Sequence, residues 1–311
     1  MVAAVVLRMP YNAKHLRKHI VIMAIRLLVA LIALGLLHLQ PRLACWRGDG
    51  GFRRWVAQIS DTSGAGRVAL ALLLPLALCA LVIWLLGLLP LPALLQLIFA
   101  LVVLLFCFGP HAYEADLEAV LHAPDDVRRE AAAQALGEDG EYVTWRAPEL
   151  GEAIALAALR RRFGVVLWFF LLGPVGALLY RLARTLGRDE SLTLDPAARA
   201  IARQFANILD WLPAQLLVFT LALVGHWEAV IGAWRRWHHL ARPDDWYRNG
   251  PGFLAAAARA DILTDIEGGD GYTEERIDTL LELRRLRSAL LRALLVWLSV
   301  VALIVIAGWW R

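Results

Sequence analysis

The longest apolar stretch of the chain, Val68 to Tyr113, contains no Asp, Glu, Lys or Arg, and it is divided by Leu89-Pro90-Leu91-Pro92. Proline lacks an N–H and drives its predecessor out of the helical region, so two prolines one residue apart mark a tight turn. The 22 residues Val68–Leu89 make about 33 Å of helix, and the 18 of Ala93–Pro110 are just enough for a second crossing. The pattern predicts a transmembrane helical hairpin over 67–110, with Pro75 a tolerated kink in its first arm. Three further apolar stretches follow. Phe163–Tyr180 is interrupted by Gly173-Pro174-Val175-Gly176, and Trp211–Trp234 carries Pro213 near its start and His226 and Glu228 towards its end. Such breaks and mid-segment polar groups mark re-entrant or cavity-lining elements as readily as full spans. Ala293–Trp310 is clean and closes on Trp309-Trp310-Arg311, the anchor expected where a helix ends at the headgroups.

The N-terminal region is less regular. Leu27–Gln40 offers only 14 uncharged residues, suiting a short membrane helix or the core of a secretory signal. Pro41-Arg42-Leu43-Ala44-Cys45 makes a poor cleavage site and a poor lipidation box. Residues 1–22 show no coherent pattern and are read as an extension, with translation starting at Met23.

Composition supports the membrane assignment. The chain has 311 residues, 59% hydrophobic and 19% charged, with a mean hydropathy of +0.57. Soluble domains average about 45–50% apolar and about 25% charged, and this apolar excess cannot fit inside one core. A disordered tail, a secreted disulfide scaffold and an ordinary cytosolic enzyme are excluded. Cys45, Cys79 and Cys107 form neither a disulfide framework nor a zinc spacing. The net charge of +4 is too spread out to suggest a nucleic-acid partner; the bilayer is the expected one.

The fold class is therefore all-α: a polytopic helical membrane protein with a hairpin, two Gly/Pro-broken helices, a C-terminal span and helical soluble segments. Its units are 1–22, the extension; 23–66, a short membrane helix and basic loop; and 67–110, the hairpin. Then come 111–162, a cytoplasmic helical segment; 163–234, broken membrane helices around a pocket; 235–288, a second cytoplasmic helical segment; and 289–311, the last span. The uncharged turn at 90–92 and the arginines of 41–67 place 41–67 and 111–162 in the cytoplasm. The five arginines of 181–210 prefer the same side, which favours re-entry over crossing at 163–180 and 211–234.

No catalytic residue is predicted, but two constellations could do chemistry. His111, Glu114, Glu118 and His122 share one helical face and could ligate a divalent metal. The same residues also read as an interfacial histidine followed by a solvated acidic face. Arg181, Arg184, Asp210, His226 and Glu228 flank or interrupt apolar segments, where ionisable groups are costly and usually face a cavity or one another. Two discontinuous elements with polar ends could build a pocket from them, joined by Gln215. Alternatively the arginines snorkel to phosphates and Asp210 caps the helix before Pro213. No Walker loop or dinucleotide fingerprint appears, so no cofactor is assigned.

Ile208-Leu209-Asp210-Trp211-Leu212-Pro213-Ala214-Gln215-Leu216, followed by Gly225-His226-Trp227-Glu228, resembles the AmpE family of bacterial inner-membrane proteins, as does Gly109-Pro110-His111-Ala112-Tyr113. That resemblance implies a non-catalytic modulator of β-lactamase induction, working with the AmpD-linked peptidoglycan-recycling pathway and supposed in the family to bind ATP. AmpE is in turn related to the CobD/CbiB cobalamin-biosynthesis membrane enzymes, which join an aminopropanol moiety to cobyric acid. Gly173-Pro174-Val175-Gly176-Ala177 through Tyr180-Arg181 resembles their Gly-Gly-Pro-Pro-Gly-Ala…Tyr-Arg segment. Asp210-Trp211-Leu212-Pro213-Ala214-Gln215-Leu216 resembles their Asn-Trp-Ile-Pro-Ala-Arg-Leu. Gln215 replaces the arginine, Arg184 stands where an asparagine is usual, and Arg160-Arg161-Arg162-Phe163 occupies the place of an acidic group. These departures favour the regulator and leave a membrane-embedded ligase or synthase of the cobinamide-phosphate type as the alternative.

Overall fold

In the computed structural model, residues 9–39, 48–59, 62–109, 113–137, 142–268 and 278–309 are described, and their regular structure is entirely helical. Helix α1 (Met9–Leu39) begins well before Met23, so residues 9–22 are helical rather than patternless, and α2 (Gly50–Gln58) follows. The hairpin forms from α3 (Gly64–Leu86) and α4 (Pro92–Cys107). Its turn ends at Leu91, held in the left-handed region at φ 63°, so that Pro92 can open α4.

Three shorter helices come next: α5 (Tyr113–His122), α6 (Asp126–Gln134) and α7 (Ala147–Ala158). Asp125 caps α6 by accepting from the Arg128 N–H at 2.7 Å. Helix α7 runs through one π-helical turn, Leu159–Phe163, into α8 (Gly164–Leu172). At Gly173, φ 72° and ψ −154°, the chain reverses into α9 (Pro174–Arg188). Glycine is the residue that adopts this conformation without a steric cost.

The two arms touch closely because they are studded with glycine. A β-carbon on Gly164 would collide with the Tyr180 ring, and one on Gly176 with the Trp168 carbonyl. Beyond Arg162 the apolar part of the first arm is residues 163–172, about 15 Å of helix against a bilayer core of about 30 Å. The apolar part of this arm is thus about half as long as a full span. Arg26 of α1 donates to the Phe170 and Leu171 carbonyls at 2.6 and 3.1 Å, tying the tip to the first helix.

The next helix, α10 (Pro196–Val224), is unbroken through Pro213, and 181–210 divides between the end of α9 and the first half of α10. The apolar stretch 211–234 breaks instead at Gly225-His226, and α11 (Trp227–Leu240) doubles back along α10. The Trp234 indole donates to Gln215 Oε1 at 2.8 Å and fastens that return. A short α12 (Asp245–Arg248), then α13 (Gly252–Gly268) and the long α14 (Thr279–Trp309), complete the chain.

Helices α3, α10 and α14 are long and apolar enough to cross a membrane, and α1 and α4 carry shorter apolar runs. Within their most apolar windows, 22% of α3 and 28% of α14 is buried against 61% of α10. The first two present Leu73, Leu78, Leu295 and Leu303 outward, as lipid-facing helices do, while α10 is the inner post around which α3, α9 and α11 pack. The chain is an all-α membrane protein.

Candidate functional site: an arginine-lined cavity

The π-helical turn places three arginines where an α-helix would spread them differently. One inserted residue widens the turn, and such bulges recur at functional sites. Arg160 and Arg162 are buried, and Arg160 and Arg161 face a cavity of about 300 Å³. The returning arm α9 brings Arg181, Arg184 and Arg188, and Asp49, the N-cap of α2, and Arg53 of α2 also line it. Among the described residues, six arginines and two aspartates line this space.

The guanidinium groups are held in fixed positions. Arg181 reaches Asp49 Oδ1 through Nη2 at 2.6 Å and Nε at 3.2 Å, and its guanidinium lies 5.0 Å above the centre of the Phe106 ring. Gly109, at φ 79°, makes room for it, since a β-carbon there would meet the guanidinium. Arg53 pairs with Asp189 at 2.8 Å, and Arg188 donates to Asn207 Oδ1 at 2.8 Å. Arg161 pairs with Asp116 of α5 and also donates to the Ala135 carbonyl. Behind the cavity Tyr180 donates to the buried Asp210 at 2.6 Å, and Arg160 Nε stands 3.5 Å from the other oxygen of that carboxylate.

Guanidinium is planar, permanently charged and forked, so clustered arginines select carboxylate and phosphate groups, often two bonds at a time. Asp116 and Asp210 stand beside the cavity and share its arginines.

The structure divides the residues expected to share one pocket. Arg181 and Arg184 line the cavity, and Asp210 stands directly behind it. Gln215 is apart, taken up by Trp234. His226 belongs to a separate cavity of about 250 Å³ at the Gly225-His226 turn. There its backbone N–H donates to Asp261 Oδ1 at 2.9 Å, its Nδ1 lies 3.1 Å from the same oxygen, and Nε2 lies 3.7 Å from Asp265. Glu228 is exposed on α11. Gly225 has no space for a side chain, because Asp261 occupies it.

Of the expected metal face, His111 and the Glu114 side chain lie outside the described residues. Glu118 pairs with Arg287, and His122 Nδ1 lies 3.0 Å from the Glu118 carbonyl. No group of three ligating side chains is assembled among the described residues. Cys45 and Arg311 likewise fall outside them. Arg160, Arg161, Arg188 and Asp49 were not anticipated as site residues.

No family model and no solved structure matches the chain. It is 31% identical over 223 residues to the cobalamin biosynthesis protein CobD of Chromobacterium violaceum, covering 67% of this chain and 66% of that protein. The match spans just under two thirds of that relative's length. It overturns the main sequence-based expectation: the detectable relationship is to a cobalamin-biosynthesis protein and not to the AmpE regulators, so the assignment to β-lactamase induction falls. The chain is thus a helical membrane protein related to CobD.

Proposed function

We propose that this protein is a membrane-embedded synthase of the cobinamide-phosphate type, and that the arginine-lined cavity holds the anionic groups of its substrates. The similarity to CobD carries the reading, and the cavity supports it chemically. Joining a carboxylate to an amine expels water, so the carboxylate must first be activated, for which a nucleotide is the natural reagent. Negative charge then gathers on carboxyl and phosphoryl oxygens, and guanidinium groups preorganised around them lower the barrier. In this reading Arg160, Arg161, Arg181 and Arg184, from the two arms of one helical hairpin, supply those groups.

The departures from the family pattern are compatible with this role. Gln215 stands in for an arginine at a position bonded to Trp234, outside the cavity lining. Arg184 and the Arg160–Arg162 run add positive charge where the cavity is built. In this reading the protein is a multi-pass inner-membrane protein with the cavity opening to the cytoplasm, the side that arginine-rich loops prefer.

Genetic complementation tests it. In a bacterium lacking its own cobinamide-phosphate synthase and dependent on cobalamin, this chain restores growth without added cobinamide. The Arg181→Ala variant inserts equally well and does not. Absence of rescue by the inserted wild-type chain, with cobinamide still rescuing, rejects the reading.

A further inference from the structure

A second cavity, which the proposed synthase leaves unused, lies where α11 and α12 fold back beside α10. It measures about 470 Å³ and is walled by Trp211, Trp237 and Trp246, with His238, Arg242 and Pro243 at its edge. The Trp211 and Trp246 rings lie 5.8 Å apart, and Trp237 packs edge-on against Phe253 at 5.4 Å. Tryptophan is amphipathic, and where it gathers on a membrane protein it sits at the level of the headgroups.

Basic side chains predominate around the cavity. Between Ala229 and Pro243 the chain carries Arg235, Arg236, His238, His239 and Arg242 with no acid, and all five are exposed. The two acids that follow are engaged: Asp244 pairs with Arg248 at 2.8 Å, and Asp245 accepts from the Arg242 N–H at 2.7 Å. From Trp211 the outer surface of α10 continues as an exposed apolar stripe through Phe219 and Leu223 to Trp227 at the start of α11. A small soluble anion has no use for that stripe, whereas an acyl chain does.

We infer that this groove is a binding site for an anionic phospholipid of the surrounding bilayer. The headgroup phosphate sits at Arg242 and His238, the glycerol ester region lies among the three tryptophans, and the acyl chains run along α10. Basic residues at a membrane surface attract anionic lipid by about 1 kcal/mol each, roughly a fivefold preference per charge. The inference does not depend on the reaction proposed above.

The test is native mass spectrometry of the detergent-purified protein after incubation with equal amounts of phosphatidylglycerol and phosphatidylcholine. The wild type retains phosphatidylglycerol selectively. Arg242→Gln reduces that selectivity about fivefold, and Trp246→Leu reduces retention of both lipids. Arg242 is exposed, so its variant stays monodisperse on gel filtration, and Arg235→Gln provides a second charge removal outside the cavity wall. Equal retention of the two lipids, or selectivity unchanged in Arg242→Gln and in the double variant, overturns the inference. Displacement of phosphatidylglycerol by excess inorganic phosphate also overturns it, since the groove is then an anion site without lipid character.

Discussion

Tyr180 donates a 2.6 Å hydrogen bond to Asp210, and neither side chain is exposed to solvent. The bond joins the returning arm of the α8–α9 hairpin to the central helix α10. Arg160, from the π-helical turn, approaches the second oxygen of the same carboxylate at 3.5 Å. One buried aspartate thus fixes three elements that build the cavity.

Asp210→Ala removes the carboxylate from a buried ion pair and costs about 3–5 kcal/mol. Tyr180→Phe removes one hydrogen bond to a charged group and costs about 1.5–3 kcal/mol. Unfolding of both variants in the same detergent gives their order. A Tyr180→Phe variant less stable than Asp210→Ala contradicts this account of the pair.

Gly109 controls where Arg181 sits. Gly109→Ala strains a φ of 79° and pushes on the guanidinium that Asp49 holds. A displacement of about 1 Å at a positioned group can cost about 100-fold in rate. The expected result is normal insertion with cobinamide-phosphate synthesis reduced on that scale. Gly66→Ala, which meets no atom within 4 Å, is the neutral control.

Asp195 links the starts of α3 and α10, accepting from the Ala198 N–H at 3.0 Å and the Gly64 N–H at 3.2 Å. Those backbone bonds, led by the one from Ala198, hold its carboxyl below the usual aspartate value, with Arg67 adding to the effect. A carboxylate depressed in the folded state stabilises it above the unfolded pKa, about 3.9, and that stabilisation is lost as pH falls through the lower folded value. Asp195→Ala is therefore less stable than the wild type near neutral pH, and the gap narrows as the pH falls below about 3.9. Thermal unfolding at the two pH values checks this; a gap that widens on acidification refutes it.

Gly173 sets the tip of the α8–α9 hairpin. Gly173→Ala places a side chain at φ 72° against the Arg26 guanidinium and costs about 1–3 kcal/mol. Limited proteolysis of the variant in membranes is expected to show faster cleavage within 163–188 than in the wild type. Unchanged cleavage and unchanged unfolding would show that the tip tolerates a β-carbon.

The hairpin over 67–110 could be read from sequence because its signals are local: an uncharged run and two prolines. The break at Gly173 was readable for the same reason. In the sequence Arg160 and Arg161 are a departure from a family pattern, standing where an acidic group is expected. Only the fold-back at Gly173, with Gly164 and Gly176 allowing close contact, carries them opposite Arg181 and Arg184. Asp210 flanks and His226 interrupts the apolar stretch 211–234, which suggests a shared pocket. The continuity of α10 through Pro213 separates them by 16 positions, about 24 Å along a helix axis, and the break falls at Gly225 instead. Asp49 gave no signal at all, because its partner is 132 residues away.

The central claim is that the arginine-lined cavity serves synthesis of a cobinamide-type product. The most direct measurement is turnover by the purified protein in lipid nanodiscs, supplied with cobyric acid, the aminopropanol substrate and a magnesium nucleotide, with product followed by mass spectrometry. The account predicts nucleotide-dependent amide formation, lost in Arg181→Ala and retained in Gly66→Ala. No product from a folded preparation, under conditions where an authentic synthase turns over, would contradict it.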